Sequence, residues 1–324
     1  MPPYANRLSR LTEQDDTSGD DLTEILDGLS QPQKTLSPKF FYDERGSDLF
    51  DQITRLPEYY LTRTERRIME DNIGEIADLI GRHASLIEFG SGSNHKIRLL
   101  LAHLHDPAVY VPVDISRDYL LAAAEDLARD FRHIQIMPVA ADFTKPFALP
   151  NPRIMPKRNI VYFPGSTIGN FSPEAALDLL EVMHHEAGED GGLLIGVDLQ
   201  KDRTTLTRAY NDNAGVTAEF NLNILRHINS SFDGDFDLEG FEHEAIYDEE
   251  HGRIEMYLRS RRDQRFRIAG NAFAIAAGER ILTEYSHKYS LESFAEIAAA
   301  AGFRVAHVWT DENAWFSVQY CIRD

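Results

Sequence analysis

Acidic residues and glycines at the ends of several apolar segments are the part of this sequence best suited to chemistry. The segment LIEFGSGSNHK places Glu88 before Gly90 and Gly92, Asp114 closes the next apolar segment, and Asp142 closes the one after that. Ligands of an open parallel sheet lie at the carboxyl ends of its strands. Acids at three successive strand ends suit a ligand with a ribose, an amino-purine and a positive charge. S-adenosylmethionine (SAM) has all three, and we predict it as the cofactor.

Two other interpretations of the glycine segment stay open. A dinucleotide site of a nicotinamide-dependent oxidoreductase would have a third glycine at position 95, where this chain has His95. The acids Glu88 and Asp114 could instead cap neighbouring loops. Lys96 could meet the carboxylate of the methionyl tail of SAM, or it could be a solvated helix residue.

Strands alternate with helices from Ala84 onward. The predicted strands are SLIEF, VYVPVD, IQIMPVAAD, NIVYFPG and GLLIGVDL. The helical segment SPEAALDLLEVMHHEAG has Ser172 at its N-cap and Pro173 in its first turn. TRTE, from Thr62 to Glu65, is a capping-box pattern that predicts the start of another helix. Apolar strands without alternation, separated by helices, indicate an α/β protein with a buried parallel sheet.

The rest of the chain predicts antiparallel strands and a second domain. FRVAHVWTDENAWFSVQYCI predicts a hairpin around DENA that closes the parallel sheet. Residues 200–290 predict a hairpin around His251 and Gly252, and two more strands around Ala277 and Gly278. We therefore predict three parts: a disordered or poorly ordered tail (1–19), a second, α+β domain for substrate (20–64 and 200–290), and a sheet domain for the cofactor (65–199 and 291–324).

Composition excludes several classes of function. The chain has 324 residues, 43% of them hydrophobic, which is enough for a sizeable core. Its formal net charge of −20 opposes binding to nucleic acid or anionic membranes. It contains no run of about 18 apolar residues that would predict a membrane helix. The single cysteine, and the absence of an HExxH spacing among its histidines, predict no metal site. A cytoplasmic enzyme with a small-molecule substrate is the expectation.

The segment FPGSTIGNF follows the fourth predicted strand. Gly165 and Gly169 allow tight turns there, and Asn170 offers both a hydrogen-bond donor and an acceptor. This loop could bind substrate, or Asn170 could simply cap the next helix.

Six blocks of sequence together resemble one enzyme family. They are PKFFYDERGSDLFDQITRLPEYYLTRTE, EFGSGSNHK, FPGSTIGNF, RAYNDNAGVTAEFNLNIL, RIEMYLR and LTEYSHKY. In this order they resemble the SAM-dependent histidine Nα-methyltransferases of ergothioneine biosynthesis, from about Lys34 to the C-terminus. The resemblance implies a class I (Rossmann-like) methyltransferase domain with a substrate domain formed by the N-terminal segment and the insert before the last hairpin.

The resemblance also implies roles for individual residues. Those near SAM are Gly90, Lys96, Asp114, Asp142 and Phe143, with Tyr42 and Phe50 near the junction of SAM and substrate. Those near the amino acid are Tyr59, Gly165, Asn170, Tyr210, Met256, Glu284 and Ser286. Tyr285, between the last two, is included as a further candidate for substrate contact. Asn170 and Tyr210 would hold the carboxylate, Asn170 and Gly165 would orient the amine, and Glu284 and Tyr59 would read the imidazole. Tyr42 would steer the amine lone pair or accept its proton through water.

Some of these residues also have purely structural interpretations. Glu284 and Ser286 are two apart on one predicted strand and so share a face, which could simply be solvated. Met256 alternates with Ile254 and Leu258, as a core methionine would, and Tyr59 could be a packed tyrosine.

The expected reaction is three successive methyl transfers from SAM to the α-amine of L-histidine, giving trimethylhistidine (hercynine). L-histidine and its mono- and dimethyl forms are the expected substrates, and a monomer is the expected state. A rival of the same fold would methylate another aromatic amino acid such as tryptophan, but an indole offers no basic nitrogen to pair with Glu284. A non-catalytic SAM-binding partner of another enzyme is a further alternative.

Overall fold

The computed structural model describes residues 8–9, 11–13, 18–91 and 94–324. Within these residues the chain forms two compact units. The first, here called the sheet unit, contains the described residues up to Asp15, Leu61–Gln200 and Tyr289–Asp324. The second unit contains the described residues of Asp16–Tyr60 and Lys201–Lys288. Strands and helices are numbered in chain order over the described residues.

Nine strands form the sheet of the first unit: β1 Thr12–Glu13, β3 Ala84–Phe89, β4 Val109–Asp114, β5 Gln135–Ile136, β6 Val139–Ala140, β7 Arg158–Phe163, β8 Gly192–Asp198, β14 Phe303–Thr310 and β15 Phe316–Arg323. Their order is β1-β6-β4-β3-β7-β8-β15-β14, and β5 also pairs with β4. All neighbours are parallel except β15, which is antiparallel to both β8 and β14. This sheet and its C-terminal hairpin confirm the predicted Rossmann-like class I fold.

The helices of the sheet unit are α3 Leu61–Ile80, α4 Asn94–His103, α5 Arg117–Asp130, α6 Pro173–Ala187 and α9 Leu291–Ala300. Every residue of β3 and β8 is buried, as expected of parallel strands covered on both faces. At α6 the Ser172 side chain accepts a hydrogen bond from the Ala175 N–H and Pro173 occupies the first turn, as predicted. The strand order reverses beside β3, which places the carboxyl ends of β3, β4 and β7 around one crevice.

Three sequence predictions for the sheet unit need correction. IQIMPVAAD is not one strand but two, β5 and β6, since Pro138 between them has no N–H to donate to the sheet. The helix predicted to start at the TRTE capping box already begins at Leu61, so the predicted domain boundary at residue 65 falls inside α3.

The N-terminal tail also differs from the prediction for residues 1–19. Thr12–Glu13 pairs with β6 as a parallel edge strand, Leu8 forms a bridge with Ile136, and a helix begins at Ser18. Residues 1–7, 10 and 14–17 of that prediction lie outside the described ranges.

The second unit combines helices with a small antiparallel sheet. Its helices are α1 Ser18–Ser30, α2 Glu44–Ile53, α7 Arg203–Tyr210 and α8 Val216–Ser231. Its strands are β2 Lys34–Thr35, β9 Phe241–Asp248, β10 Arg253–Ser260, β11 Gln264–Ile268, β12 Asn271–Ile275 and β13 Arg280–His287. The main sheet has the order β2-β13-β10-β9, while β11 and β12 form a separate hairpin. The predicted hairpin around His251 and Gly252 is confirmed as the turn between β9 and β10.

A bulge in β13 determines which residues of that strand face the helices of the second unit. Met256 pairs with Glu284, but the next residue, Tyr257, pairs with Leu282, so Thr283 is the extra residue. The Thr283 hydroxyl donates to the Asn221 side chain of α8 at 2.7 Å and contacts the Met256 carbonyl at 3.1 Å. These contacts hold the bulge in place beside Glu284.

Candidate active site

The turn after β3 brings backbone, rather than side chains, to the strand ends. Gly90 has a φ of +72°, a left-handed conformation that favours glycine. Its N–H and that of Ser91 both donate to the Val113 carbonyl, at 2.9 and 3.1 Å. The turn is thereby joined to the end of β4. Gly92 and Ser93, also part of the predicted glycine motif, lie outside the described residues, and α4 begins directly after them.

Asp114 ends β4, as predicted, beside this turn. Its Oδ1 accepts the Ser116 N–H at 2.8 Å. Burial raises the pKa of Asp114, and the hydrogen bonds from Ser116 partly oppose the shift. A ribose hydroxyl would be a suitable additional donor for such a carboxylate.

Asp142 and Phe143 follow β6. Asp142 accepts hydrogen bonds from the backbone N–H and the hydroxyl of Thr144, at 3.0 and 2.6 Å, so one of its oxygens caps its own loop. The Phe143 ring lies 5.6 Å from the Phe89 ring, and a side chain at Gly90 would lie 3.5 Å from it. Phe143 therefore forms an apolar wall beside the glycine turn.

Glu88, the first of the three acids, makes its hydrogen bond within the sheet. It is buried and accepts a short hydrogen bond from the Tyr110 hydroxyl on β4. Burial raises the pKa of Glu88 to about 7, against the opposing effects of the Tyr110 hydrogen bond and the Lys96 charge. These contacts fit a link between β3 and β4 better than a direct contact with the cofactor.

Lys96 has a partner that the sequence did not predict. Its Nζ donates to Glu65 Oε2 at 2.5 Å. The same carboxylate accepts the N–H of Gly165, at 2.9 Å to Oε1 and 3.1 Å to Oε2. A signal was present in the sequence: position 65 follows Leu61 by four residues and precedes Ile68 by three, so this acid lies on the buried stripe of α3.

The loop after β7 has a strained and well-anchored backbone. Gly165 and Ser166 have φ values of +82° and +59°, and such a value is uncommon for a residue other than glycine. The Ser166 Oγ accepts the Asp198 N–H at 2.9 Å. Asn170 ends the following 3₁₀ turn, Thr167–Asn170, and its side chain forms no hydrogen bond with the residues that the structure describes. An amide without such partners remains able to bind a ligand.

In the second unit, β13 presents Glu284 and Ser286 on one face, as predicted. The Ser286 Oγ lies 2.7 Å from the Tyr210 hydroxyl of α7. Lys288, two residues further along, donates to both oxygens, at 2.7 Å to Ser286 and 3.0 Å to Tyr210. Sequence reasoning missed Lys288, although its spacing from Glu284 and Ser286 places it on the same face.

Glu284 lies in this row without a hydrogen bond from the described residues. Glu284 is 9% exposed, and it pairs across the sheet with Met256, which is buried. Burial raises the pKa of Glu284 to about 7, opposed by the charge of Lys288. A buried carboxylate without a donor is costly, so this position favours a ligand that supplies one.

Tyr285 lies on the opposite face of β13 from Glu284 and Ser286. Its ring packs under the Arg253 guanidinium at 3.8 Å and lies 5.9 Å from the His287 ring. Of the predicted substrate residues of the second unit, Tyr285 is the one that the structure separates from the others, because adjacent residues of a strand point to opposite faces.

The remaining predicted aromatic residues form a chain of ring contacts within the second unit. Tyr42 contacts Phe50 at 5.9 Å, Phe50 contacts Tyr59 at 6.3 Å, and Tyr59 contacts Tyr210 at 6.2 Å. Tyr210 in turn contacts Ser286. The second unit thus brings five predicted residues together with an apolar wall and hydroxyl groups, which suits a small aromatic ligand with a polar end.

Neither a metal cluster nor a membrane-spanning helix is found among the described residues. Among them, no group of three or more histidine, cysteine, aspartate or glutamate side chains is arranged to hold a metal ion. None of the helices in the described part of the chain is long and apolar enough to cross a membrane.

Comparisons with known proteins find similarity to one family over nearly the whole chain. A family model described as "Histidine-specific methyltransferase, SAM-dependent" matches residues 21–323. Histidine N-alpha-methyltransferase of Mycolicibacterium smegmatis is 40% identical over 306 residues, covering 93% of this chain and 94% of the relative. The protein of the same name from Mycobacterium tuberculosis is 39% identical over 302 residues, covering 91% and 92%. Ergothioneine biosynthesis protein 1 of Neurospora crassa is 32% identical over 292 residues, which are 87% of this chain but 32% of that relative.

Proposed function

This chain belongs to the SAM-dependent, histidine-specific methyltransferases, and we propose that it methylates the α-amine of L-histidine three times. The product is trimethylhistidine (hercynine), and the pathway it serves is ergothioneine biosynthesis. Relatives named for histidine N-alpha-methylation and for ergothioneine biosynthesis support this proposal. Histidine and its mono- and dimethyl forms are successive substrates of one site.

The observation that carries the choice of histidine is the state of Glu284. Its carboxylate is buried, receives no hydrogen bond from the described residues, and lies in one row with Ser286. An imidazole supplies an N–H donor and, when protonated, a positive charge. A charge-assisted hydrogen bond of this kind contributes about 1.5–3 kcal/mol. An indole supplies a donor but no basic nitrogen, so tryptophan is the weaker candidate.

The residues of the sheet unit fit SAM. Gly90 allows close backbone approach, Asp114 offers an acceptor to the ribose, and Phe143 lines the glycine turn. Asp142 is assigned to the amino-purine and Lys96 to the carboxylate of the methionyl tail. When bound, SAM supplies a methyl group on a positively charged sulfur.

The chain's own residues bind and orient the amino acid. The amine must be neutral to attack, and a protonated amine beside a sulfonium would be a like-charge pair. We assign the carboxylate to Asn170 and Tyr210, the amine to Asn170 and Gly165, and the imidazole to Glu284 and Tyr59. Tyr42 steers the lone pair of the amine or accepts its proton through water. Orientation and desolvation, rather than covalent catalysis, supply the acceleration.

The test is incubation of the enzyme with SAM and each free amino acid, read by mass spectrometry for added methyl groups. Histidine should gain one, two and then three methyl groups. Histidine acetylated on its α-amine should gain none, because only ring nitrogens remain available. Methylation of the acetylated compound would contradict the assignment to the α-amine, and preferential methylation of tryptophan would contradict the choice of histidine.

A further inference from the structure

Glu65 connects two parts of the sheet unit to which the proposed function gives separate tasks. Its residue is 1% exposed. One oxygen accepts the Lys96 ammonium at 2.5 Å, and both oxygens lie within 3.1 Å of the Gly165 N–H. Lys96 belongs to α4 after the glycine turn, whereas Gly165 belongs to the loop after β7. A single carboxylate therefore fixes a residue assigned to the cofactor and one assigned to the amine.

The surrounding backbone is shaped to receive this carboxylate. A Cβ at Gly196 of β8 would lie 2.2 Å from Glu65 Oε1, so any larger side chain at this position would displace the Glu65 carboxylate from its place. Gly165 has a φ of +82° while its N–H donates to Glu65. Gly165 and Gly196 both adjoin the Glu65 carboxylate, which indicates that the backbone is shaped to accommodate it.

The peptide between Pro164 and Gly165 is held at both ends. Glu65 accepts its N–H, and its carbonyl accepts the Thr167 hydroxyl at 3.1 Å. The next residue, Ser166, has the left-handed φ of +59°. Strained backbone of this kind persists only where surrounding contacts hold it. Glu65 supplies one of those contacts, at Gly165, one of the two residues assigned to the amine.

We propose that Glu65 is a positioning residue for methyl transfer, acting through Lys96 and through the peptide of Gly165. It holds the Lys96 ammonium, on its flexible four-carbon stem, in the place assigned to the cofactor carboxylate. It also fixes the orientation of the backbone assigned to the substrate amine. The first role requires only SAM binding, and the second rests on the proposed function.

The first role is tested by a double-mutant cycle on SAM affinity, measured by titration calorimetry without any amino acid. Glu65→Gln and Lys96→Met should each weaken SAM binding about tenfold, because the first removes the charge that holds the ammonium in place and the second removes the ammonium itself. The double variant should bind no more than about twofold more weakly than Lys96→Met alone. Glu70→Gln is the matched control, since Glu70 is on the same helix but pairs with Arg66 at the surface. Unchanged affinity in Glu65→Gln, or effects that multiply in the double variant, would overturn this role.

The second role is tested by comparing Glu65→Gln with Glu65→Met at saturating SAM. The glutamine oxygen can still accept the Gly165 N–H, whereas methionine cannot. We expect kcat for histidine to be about fivefold or more lower in Glu65→Met, a loss of about 1 kcal/mol in transition-state stabilisation. Equal kcat values in two variants with native thermal unfolding would overturn it. If Glu65→Met does not fold, the affinity cycle with Glu65→Gln still decides the first role. Failure of the wild type to methylate histidine would refute the proposed function but leave the affinity cycle unaffected.

Discussion

At the scale of single residues, the electrostatic state of Glu284 is the feature most closely tied to substrate choice. Its pKa, raised to about 7 by burial, lies close to that of an imidazole. Lys288 is the charged group that opposes this shift, and the same lysine donates to Ser286 and Tyr210. A ligand that donates to Glu284 would thus complete a row of polar side chains that is otherwise satisfied.

Replacement of Glu284 by glutamine tests this argument with little change of shape. Glu284→Gln should lower kcat/KM for histidine about tenfold to a hundredfold, because a charge-assisted hydrogen bond of about 1.5–3 kcal/mol is lost. Any turnover of tryptophan should be unchanged or raised. SAM affinity should stay unchanged, since Glu284 is not among the residues assigned to SAM. The measurement is kcat/KM for both amino acids in both proteins.

The control for this experiment is Glu279→Gln, which changes a partly exposed glutamate just before the same strand, paired with Lys34. It should leave both kcat/KM values within about twofold of wild type, because this partly exposed ion pair involves none of the residues assigned to histidine or SAM. If Glu284→Gln lowers histidine and tryptophan turnover by the same factor, Glu284 is a structural residue and histidine selection lies elsewhere.

Asp114 is to the cofactor site what Glu284 is to the substrate site: the single residue whose replacement tests the assignment. Asp114→Asn should weaken SAM binding about tenfold to a hundredfold, because a ribose hydroxyl would lose a charged acceptor. The asparagine oxygen can still accept the Ser116 N–H that Asp114 accepts at 2.8 Å, so the local turn should be preserved. Titration calorimetry measures the affinity. Unchanged SAM affinity would remove Asp114 from the cofactor site.

At the scale of elements, the sequence predicted what depends on local pattern. Fully apolar runs predicted β3, β4, β7 and β8, and the N-cap pattern at Ser172 predicted the start of α6. The strand ends, and therefore Asp114, followed from the same pattern. Periodicity also predicted that Glu284 and Ser286 share a face.

Features that depend on pairing between distant segments were not predictable in this way. The bulge at Thr283 exists because β13 pairs with β10 on both sides of it. The role of Glu65 requires α3, α4 and the loop after β7 to meet. The TRTE motif, which contains Glu65, pointed instead to a helix cap. The two-residue strand Thr12–Glu13 is too short to have a detectable period.

The link between β3 and β4 through Glu88 predicts a pH-dependent stability. The pKa of Glu88 is raised from 4.5 to about 7, so between these values the folded chain keeps a proton that the unfolded chain releases. Stability from this group is therefore full below about pH 4.5 and is lost as pH rises through about 7. At about 1.4 kcal/mol per pKa unit, a shift of about 2.5 units corresponds to a loss of about 3 to 4 kcal/mol.

Glu88→Gln should abolish this contribution, because the amide does not titrate but can still accept the Tyr110 hydroxyl. The melting temperature of the variant minus that of the wild type should therefore increase from about pH 5 to about pH 8, with no SAM present. Taking the difference between the two proteins cancels the titration of groups that they share. A difference that stays constant across this range would show that Glu88 does not titrate there.

At the scale of the whole molecule, the dominant physical feature is charge. The chain has 53 acidic and 33 basic residues, a formal excess of 20 negative charges. Many of the basic side chains form exposed ion pairs, such as Arg66–Glu70 and Arg304–Asp324. Such pairs contribute about 0–1 kcal/mol each. Repulsion among the unpaired acids destabilises the compact state and extends over the whole surface.

Salt should therefore stabilise this protein. Raising the NaCl concentration from about 10 mM to about 150 mM shortens the screening length from about 30 Å to about 8 Å, which weakens long-range repulsion more than contacts between paired atoms. The melting temperature should rise over this range at a fixed pH well above 7, where Glu88 and Glu284 are both charged. The same titration with an uncharged osmolyte at equal osmolarity separates screening from water activity. A melting temperature that falls with salt would mean that the ion pairs contribute more to stability than the self-repulsion removes.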